Sequence, residues 1–161
     1  MFDGPDGSGK STLMKKVINK IEIELPDYNI LKTKEPGGTD IGQGIRKLLL
    51  DPKYSPSKKT ELMLFIADRA EHYSKVLKPK LKESKNIVVS DRYWESTLVY
   101  QLIEGNIELE IIKYLHEFIT DNLFPDLFFI IDSNYPHDLK GDRIDQKGNE
   151  FRNKIRHEYY K

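Results

Sequence analysis

Gly4, Pro5, Asp6, Gly7, Ser8, Gly9, Lys10 and Ser11 fill the pattern G-x-x-x-x-G-K-[ST] completely, with Thr12 behind it. Glycines in such a loop let backbone N–H groups turn inward and approach phosphate oxygens closely. A helix opening at Lys10 adds its positive amino end. Lys10 can reach the outer phosphates of a nucleotide, and the Ser11 hydroxyl can meet a magnesium ion. These nine residues therefore predict nucleotide binding.

Three further clusters carry chemistry: Lys34 to Thr39 (K-E-P-G-G-T), Phe65 to Arg69 (F-I-A-D-R), and Asp91-Arg92-Tyr93 followed by Ser96, Thr97, Tyr100 and Gln101. Phosphoryl transfer to a second phosphate needs no strong base, because the acceptor oxygen is already ionised near neutral pH. The obstacle is bringing two anions together, at about 4 kcal/mol per close like-charge pair for an effective dielectric of about 20. Cations must surround the transferring group in a site whose geometry is set beforehand. Lys10, Arg46 and Arg92 are the candidates. Phe65 and Arg69 stand four apart, on one face of a helix. A phenyl ring can stack on a pyrimidine while a guanidinium donates to a base carbonyl. Taken singly, Phe65 reads as core, Arg69 as a helix charge and Tyr100 as a packed ring. Their coincidence reverses that.

The order and spacing of these four clusters resemble the thymidylate kinase family, over about residues 2–133 and again, weakly, between 143 and 160. The resemblance implies transfer of the γ-phosphoryl group of ATP to dTMP, with ATP and Mg2+ as cofactors, dTMP as partner and a homodimer as assembly. It implies that Arg46 and Arg92 grip the acceptor phosphate and that Lys10, Asp91 and Arg92 are catalytic. Ser11 and Asp91 would hold the magnesium shell, with Glu35 close behind. Phe65, Arg69, Thr97 and Gln101 would contact the base, Tyr100 would crowd the sugar 2′ position, and Asp6 would receive the 3′-hydroxyl. A lid over residues 133–150 would offer Lys140, Arg143 and Lys147 to ATP.

Departures from the family pattern keep alternatives open. Lys34 stands where the family carries an arginine, which alone offers a bidentate fork. Residues 134–141 are short for a helix plus lid, the first strand is a stub, and the family's last strand and helix have no counterpart after Tyr160. The alternatives are another phosphate-loop deoxynucleotide or deoxynucleoside kinase, and a shortened nucleotide-binding remnant without turnover.

Around the site the chain alternates strand and helix. Helical spacing covers residues 10–24 with Leu13, Val17 and Ile21 on one face, then 40–50, a long helix from 60 that Pro79 bends or stops, 96–103, 109–123 and 151–160. Strands are expected at 28–33, at 87–89 and at 127–131, the last an apolar run of the kind covered on both faces. This alternation predicts an α/β, three-layer fold, a parallel sheet flanked by helices in one domain over 1–161. Ligands would lie beyond the carboxyl ends of its strands.

Composition narrows the partners. The chain has 161 residues, Lys+Arg 26 against Asp+Glu 26, and no cysteine. Neutral charge argues against a nucleic-acid partner, and the lysines between 75 and 85 read as a solvated helix face. Disulfides and thiolate chemistry are excluded. No apolar stretch approaches a membrane span and no leader is visible, so the expected compartment is the cytoplasm.

Overall fold

Val88 and Val89 are neighbours on one strand and meet different layers. Val88 packs with Met1, Tyr73, Leu77 and Tyr93, whereas Val89 packs with Phe2 and Met14. That is the period-2 alternation of a sheet covered on both faces. The computed structural model of the chain describes residues 1–105, 107–132 and 148–159.

The elements run β1 (Phe2–Asp3), α1 (Lys10–Glu24), β2 (Asn29–Lys34), α2 (Asp40–Leu50), α3 (Lys58–His72), α4 (Lys78–Lys82), β3 (Asn86–Asp91), α5 (Trp94–Gly105), α6 (Leu109–Thr120), β4 (Phe129–Ile130) and α7 (Gly148–Glu158). The strands form one parallel sheet in the order β2-β3-β1-β4. The α/β reading and its layers hold. Helix α1 covers one face through Met14, Val17 and Ile18. On the other face, Tyr73 and Leu77 beyond α3 pack with Tyr93, while Leu62, Ile66 and Ile112 join α3 to α6.

Three local expectations change. On α1 the inward stripe is set by Lys10 and Met14, one turn apart, so Met14 is buried and Leu13 lies exposed. The long helix neither stops nor simply bends at Pro79. It widens into one π turn at Tyr73–Leu77 and resumes as α4, with Pro79 in the first turn, where a missing N–H is tolerated. The run 127–131 is not a strand covered on both faces. Among the described residues only Phe129–Ile130 pair, at the sheet edge, and Leu127 is 66% exposed and Phe129 44%. An apolar run does not by itself distinguish an edge strand from a central one.

The topology locates the site. From β1 the chain crosses to β2, and from β3 it crosses back past β1 to β4, so the order reverses between the adjacent strands β1 and β3. Asp3 and Asp91 end these two strands, and residues 4–11 and Arg92 follow them directly. Ligands of open α/β sheets bind at such a reversal.

Candidate active site

Residues 4–11 leave β1 in conformations that glycine tolerates: Gly4 has φ 137° and Gly9 φ 86°. A Cβ on Gly4 would also strike the Ile131 carbonyl oxygen. Gly9 caps α1, so the helix amino end faces the loop. Lys10 is buried, and its Nζ lies 3.3 Å from Asp91 Oδ1. The Ser8 hydroxyl is buried with no partner among the described residues. Ser11 and Thr12 are exposed in the first turn of α1. The loop thus presents a helix end, a cation and an unsatisfied hydroxyl together, which suits an anion with several oxygens.

Asp91 and Arg92 are consecutive but serve opposite sides. Asp91 turns to Lys10, whereas Arg92, at φ 70°, turns to the other flank of the loop. Arg92 Nη2 donates to Asp6 Oδ1 at 2.9 Å, and Nη1 donates to Asp3 Oδ1 at 2.9 Å and to Ser96 Oγ at 3.0 Å. Its guanidinium also lies over the Tyr100 ring, 5.8 Å from the centroid. Asp3 is fully buried and accepts from the Gly4 N–H, Ser96 Oγ and Tyr159 Oη as well. Burial, followed by the Asp3 charge, pushes the Tyr159 hydroxyl far up, which keeps it a donor.

On the third side the turn at residues 35–39 packs against α3. Thr39 caps α2 by accepting from the Gly42 N–H, and Arg46 Nη1 donates to the Pro36 carbonyl at 3.0 Å. Gln43 donates to the Gly37 carbonyl, and Asp68 Oδ1 accepts from the Gly37 N–H at 2.8 Å. Burial pushes the Asp68 carboxyl up to about 6. Glu35 accepts from Arg69 Nε at 2.8 Å, while its second oxygen meets His72 Nδ1 at 2.8 Å. Burial alone would raise Glu35, but the Arg69 charge and the His72 hydrogen bond outweigh it and hold the carboxyl below its usual range. Arg69 Nη2 donates to Thr97 Oγ1 at 2.9 Å, and the guanidinium sits 5.1 Å from the Tyr93 ring centroid.

One crevice collects most of the expected residues. Asp6, Glu35, Arg46, Phe65, Arg69, Arg92, Thr97 and Tyr100 line it together with Pro36, Leu50, Tyr93 and Ser96. Gln101 is not among them: it is fully buried behind the crevice, its Nε2 donating to Glu61 at 3.2 Å. Both Glu35 oxygens carry a hydrogen bond, one from Arg69 and one shared with His72. Lys34 is exposed. Lys140, Arg143 and Lys147 lie outside the described residues, and positions 148–150 of the expected lid are the first turn of α7.

Asp3, Asp68, His72 and Tyr159 make hydrogen bonds in this region and were not singled out by sequence reasoning. The i, i+1, i+4 spacing of Asp68, Arg69 and His72 was a legible signal, since it puts three polar groups on one helix flank. Tyr159 offered none.

The comparisons agree with one another. The family model described as thymidylate kinase matches residues 2–161. The chain is 34% identical over 169 residues to a thymidylate kinase of Halothermothrix orenii, covering 99% of this chain and 80% of that protein. It is 37% identical over 166 residues to one of Thermosipho africanus, covering 99% and 81%. A crystal structure of thymidylate kinase from Ehrlichia chaffeensis superposes with TM-score 0.80 at 33% identity, covering 99% of this chain and 82% of that one.

Proposed function

This chain belongs to the thymidylate kinase family, and from that premise we propose that the crevice transfers the γ-phosphoryl group of ATP to dTMP. The observation that carries the reading is the divided duty of Asp91 and Arg92. The phosphate-loop lysine sits on one side of this pair and the acceptor crevice on the other, and the two meet at the reversal point of the sheet.

The residues assign themselves to steps. ATP lays its phosphates along residues 4–11, where Ser8 Oγ, the loop N–H groups and Lys10 bind them. dTMP enters the crevice with its phosphate toward Arg92 and Arg46, its sugar between Asp6 and Tyr100, and its base between Phe65, Arg69 and Thr97. A monophosphate with a second ionisation at about 6 is mostly dianionic at neutral pH, so no general base is needed. An acceptor oxygen bonds to the γ-phosphorus, the bond to the β–γ bridging oxygen breaks, and ADP departs with that electron pair. Lys10 and Arg92 oppose the charge of the three transferring oxygens from two sides. Ser11 and Asp91 offer one hydroxyl and one carboxylate, a donor set that fits Mg2+, which takes few protein ligands and keeps waters and phosphate oxygens. When bound, that ion neutralises phosphate charge.

The whole chain, 1–161, is one kinase domain on this reading, and its compartment is the cytoplasm. Among the described residues no helix is long and apolar enough to cross a membrane. A homodimer is part of the same proposal. Ile111, Tyr114 and Phe118 form an exposed stripe along α6, with the Tyr114 and Phe118 rings stacked, and a second copy would cover it. Light scattering on the wild type and on Phe118→Glu tests this: a dimer that becomes a monomer supports it, and a wild-type monomer removes it.

A coupled assay with ATP, Mg2+ and dTMP tests the activity. The expected result is dTDP formation that Lys10→Ala lowers by roughly 10²-fold or more. Nucleotide binding without dTDP would overturn the reading.

A further inference from the structure

Arg69 is 1% exposed, lines the crevice, and has its three guanidinium nitrogens in different states. Nε is committed to Glu35 and Nη2 to Thr97, while Nη1 is buried with no partner among the described residues. A buried N–H left unpaired is costly unless a ligand completes it. The direction in which Nη1 points is therefore a functional quantity, and Glu35 fixes it.

Glu35 is itself fixed by a residue that the proposed chemistry does not use. Its Oε1 meets His72 Nδ1 at 2.8 Å, and His72 Nε2 meets Thr33 Oγ1 at 2.6 Å. The His72 ring is fully buried and wedged against Gly38, where an added Cβ would lie 2.5 Å from Cδ2 and 2.8 Å from Nε2. Both ring nitrogens are thus engaged, and Gly38 leaves room for the ring where any side chain would meet it. A continuous chain of contacts thus runs from Thr33 at the end of β2, through His72 and Glu35, to Arg69 and on to Thr97 of α5.

We propose that His72 is a positioning residue for base selection. By clamping Glu35 onto Arg69 Nε, it fixes the orientation of the guanidinium that lines the crevice, a group of donors that accepts a pyrimidine with a carbonyl at this position and rejects one with an amino group. This deepens the dTMP reading and rests on it. A 4-amino pyrimidine presents a donor to a donor, and a guanidinium unable to turn away cannot relieve that conflict. Loosening the clamp weakens binding of dTMP and also blunts its advantage over dCMP.

Steady-state kinetics of wild type, His72→Ala, His72→Asn and Gly38→Ala with dTMP and dCMP test the proposal, alongside calorimetric binding of both nucleotides. His72→Ala is expected to raise KM for dTMP about tenfold and to lower the dTMP over dCMP preference by a similar factor, with kcat within about twofold and KM for ATP unchanged. His72→Asn places an amide donor near the Nδ1 position and is expected to recover most of the loss. Gly38→Ala pushes on the ring and is expected to imitate His72→Ala. If His72→Ala does not fold, Thr33→Val frees the outer end of the ring and is expected to shift KM and preference in the same direction by a smaller factor. Variants with lowered melting temperature but wild-type KM and wild-type preference would show a merely structural role and overturn the proposal, as would a His72→Asn no better than His72→Ala. A wild type that makes no dTDP overturns the functional reading instead. The calorimetric dTMP over dCMP ratio then still decides the clamp.

Discussion

Arg92 Nη1 donates to Asp3 Oδ1 at 2.9 Å, joining the ends of two adjacent strands that are 89 residues apart in the chain. Asp3 is fully buried and Arg92 reaches the crevice, so the acid fixes the base of the cation while the rest of its fork addresses Asp6 and Ser96. Arg92→Lys retains the charge but loses the fork. It is expected to lower kcat for dTDP formation by roughly 10²-fold, within the range for removing one preorganised donor. Asp3→Asn breaks a buried pair and is expected to cost about 3 kcal/mol in urea unfolding. A stable Asp3→Asn enzyme with wild-type kcat would contradict this account.

Phe65 is half-buried and lines the crevice together with Arg92 and Tyr100. Loss of a base-stacking ring costs about 1–3 kcal/mol. Phe65→Ala is expected to weaken dTMP binding by roughly 10-fold or more in calorimetry, with ATP affinity unaltered. Equal weakening of both nucleotides would mean that Phe65 supports the fold and not the base.

Tyr159 closes α7 onto the site by donating to Asp3 at 2.7 Å. Tyr159→Phe keeps the ring and removes this hydrogen bond together with the hydroxyl's longer contact to Ser96 Oγ at 3.4 Å. The expected loss is about 1 kcal/mol in unfolding free energy, with faster amide exchange across α7. An unchanged exchange pattern would place the anchor of α7 elsewhere, for example at the Arg156 to Asp132 ion pair.

Asp68 gives stability a pH dependence of definite sign. Burial lifts its carboxyl to about 6 in the folded chain, against 3.8 when unfolded. The folded state therefore binds the proton more tightly, and the charged form at neutral pH is a cost. Stability is expected to rise as pH falls through about 6 towards 4, by roughly 2 kcal/mol after allowance for solvent screening. Glu35, held low, acts oppositely: its contribution is present above 4.5 and is lost at lower pH. Asp68→Asn keeps an acceptor for the Gly37 N–H and is expected to be more stable than wild type at pH 7.5, with this slope between pH 6 and 4 removed. Identical slopes in both proteins would assign the effect to other groups, Glu95 first, which burial pushes up to about 7.

Some of this was legible because it is local. A complete phosphate loop needs glycines, a lysine and a hydroxyl at fixed offsets, and those offsets survive any packing. The helices at 10–24 and 40–50 were likewise carried by periodicity and by turn residues, and the apolar run at 87–89 marked the centre of the strand Asn86–Asp91. Where periodicity fits more than one arrangement, it misled. Leu13 and Met14 both suit an inward stripe, and the choice fell to Met14 because Lys10 had to face the phosphates. The run at 127–131 looks the same at the edge of a sheet as in its centre.

The amino-acid sequence by itself determined the chemical inventory of this protein: which groups can bind phosphate, stack on a base or supply positive charge, and that they arrive at the ends of parallel strands. Only the tertiary structure decided which acid governs which cation. Asp3 meets Arg92 and Tyr159, Glu35 meets Arg69 and His72, and Gln101 turns to Glu61. These pairs are 34 to 156 residues apart. The reason is physical. A hydrogen bond is set by angstrom-scale distance and direction, and across such separations both are fixed by sheet order and helix packing, to which no local spacing is sensitive.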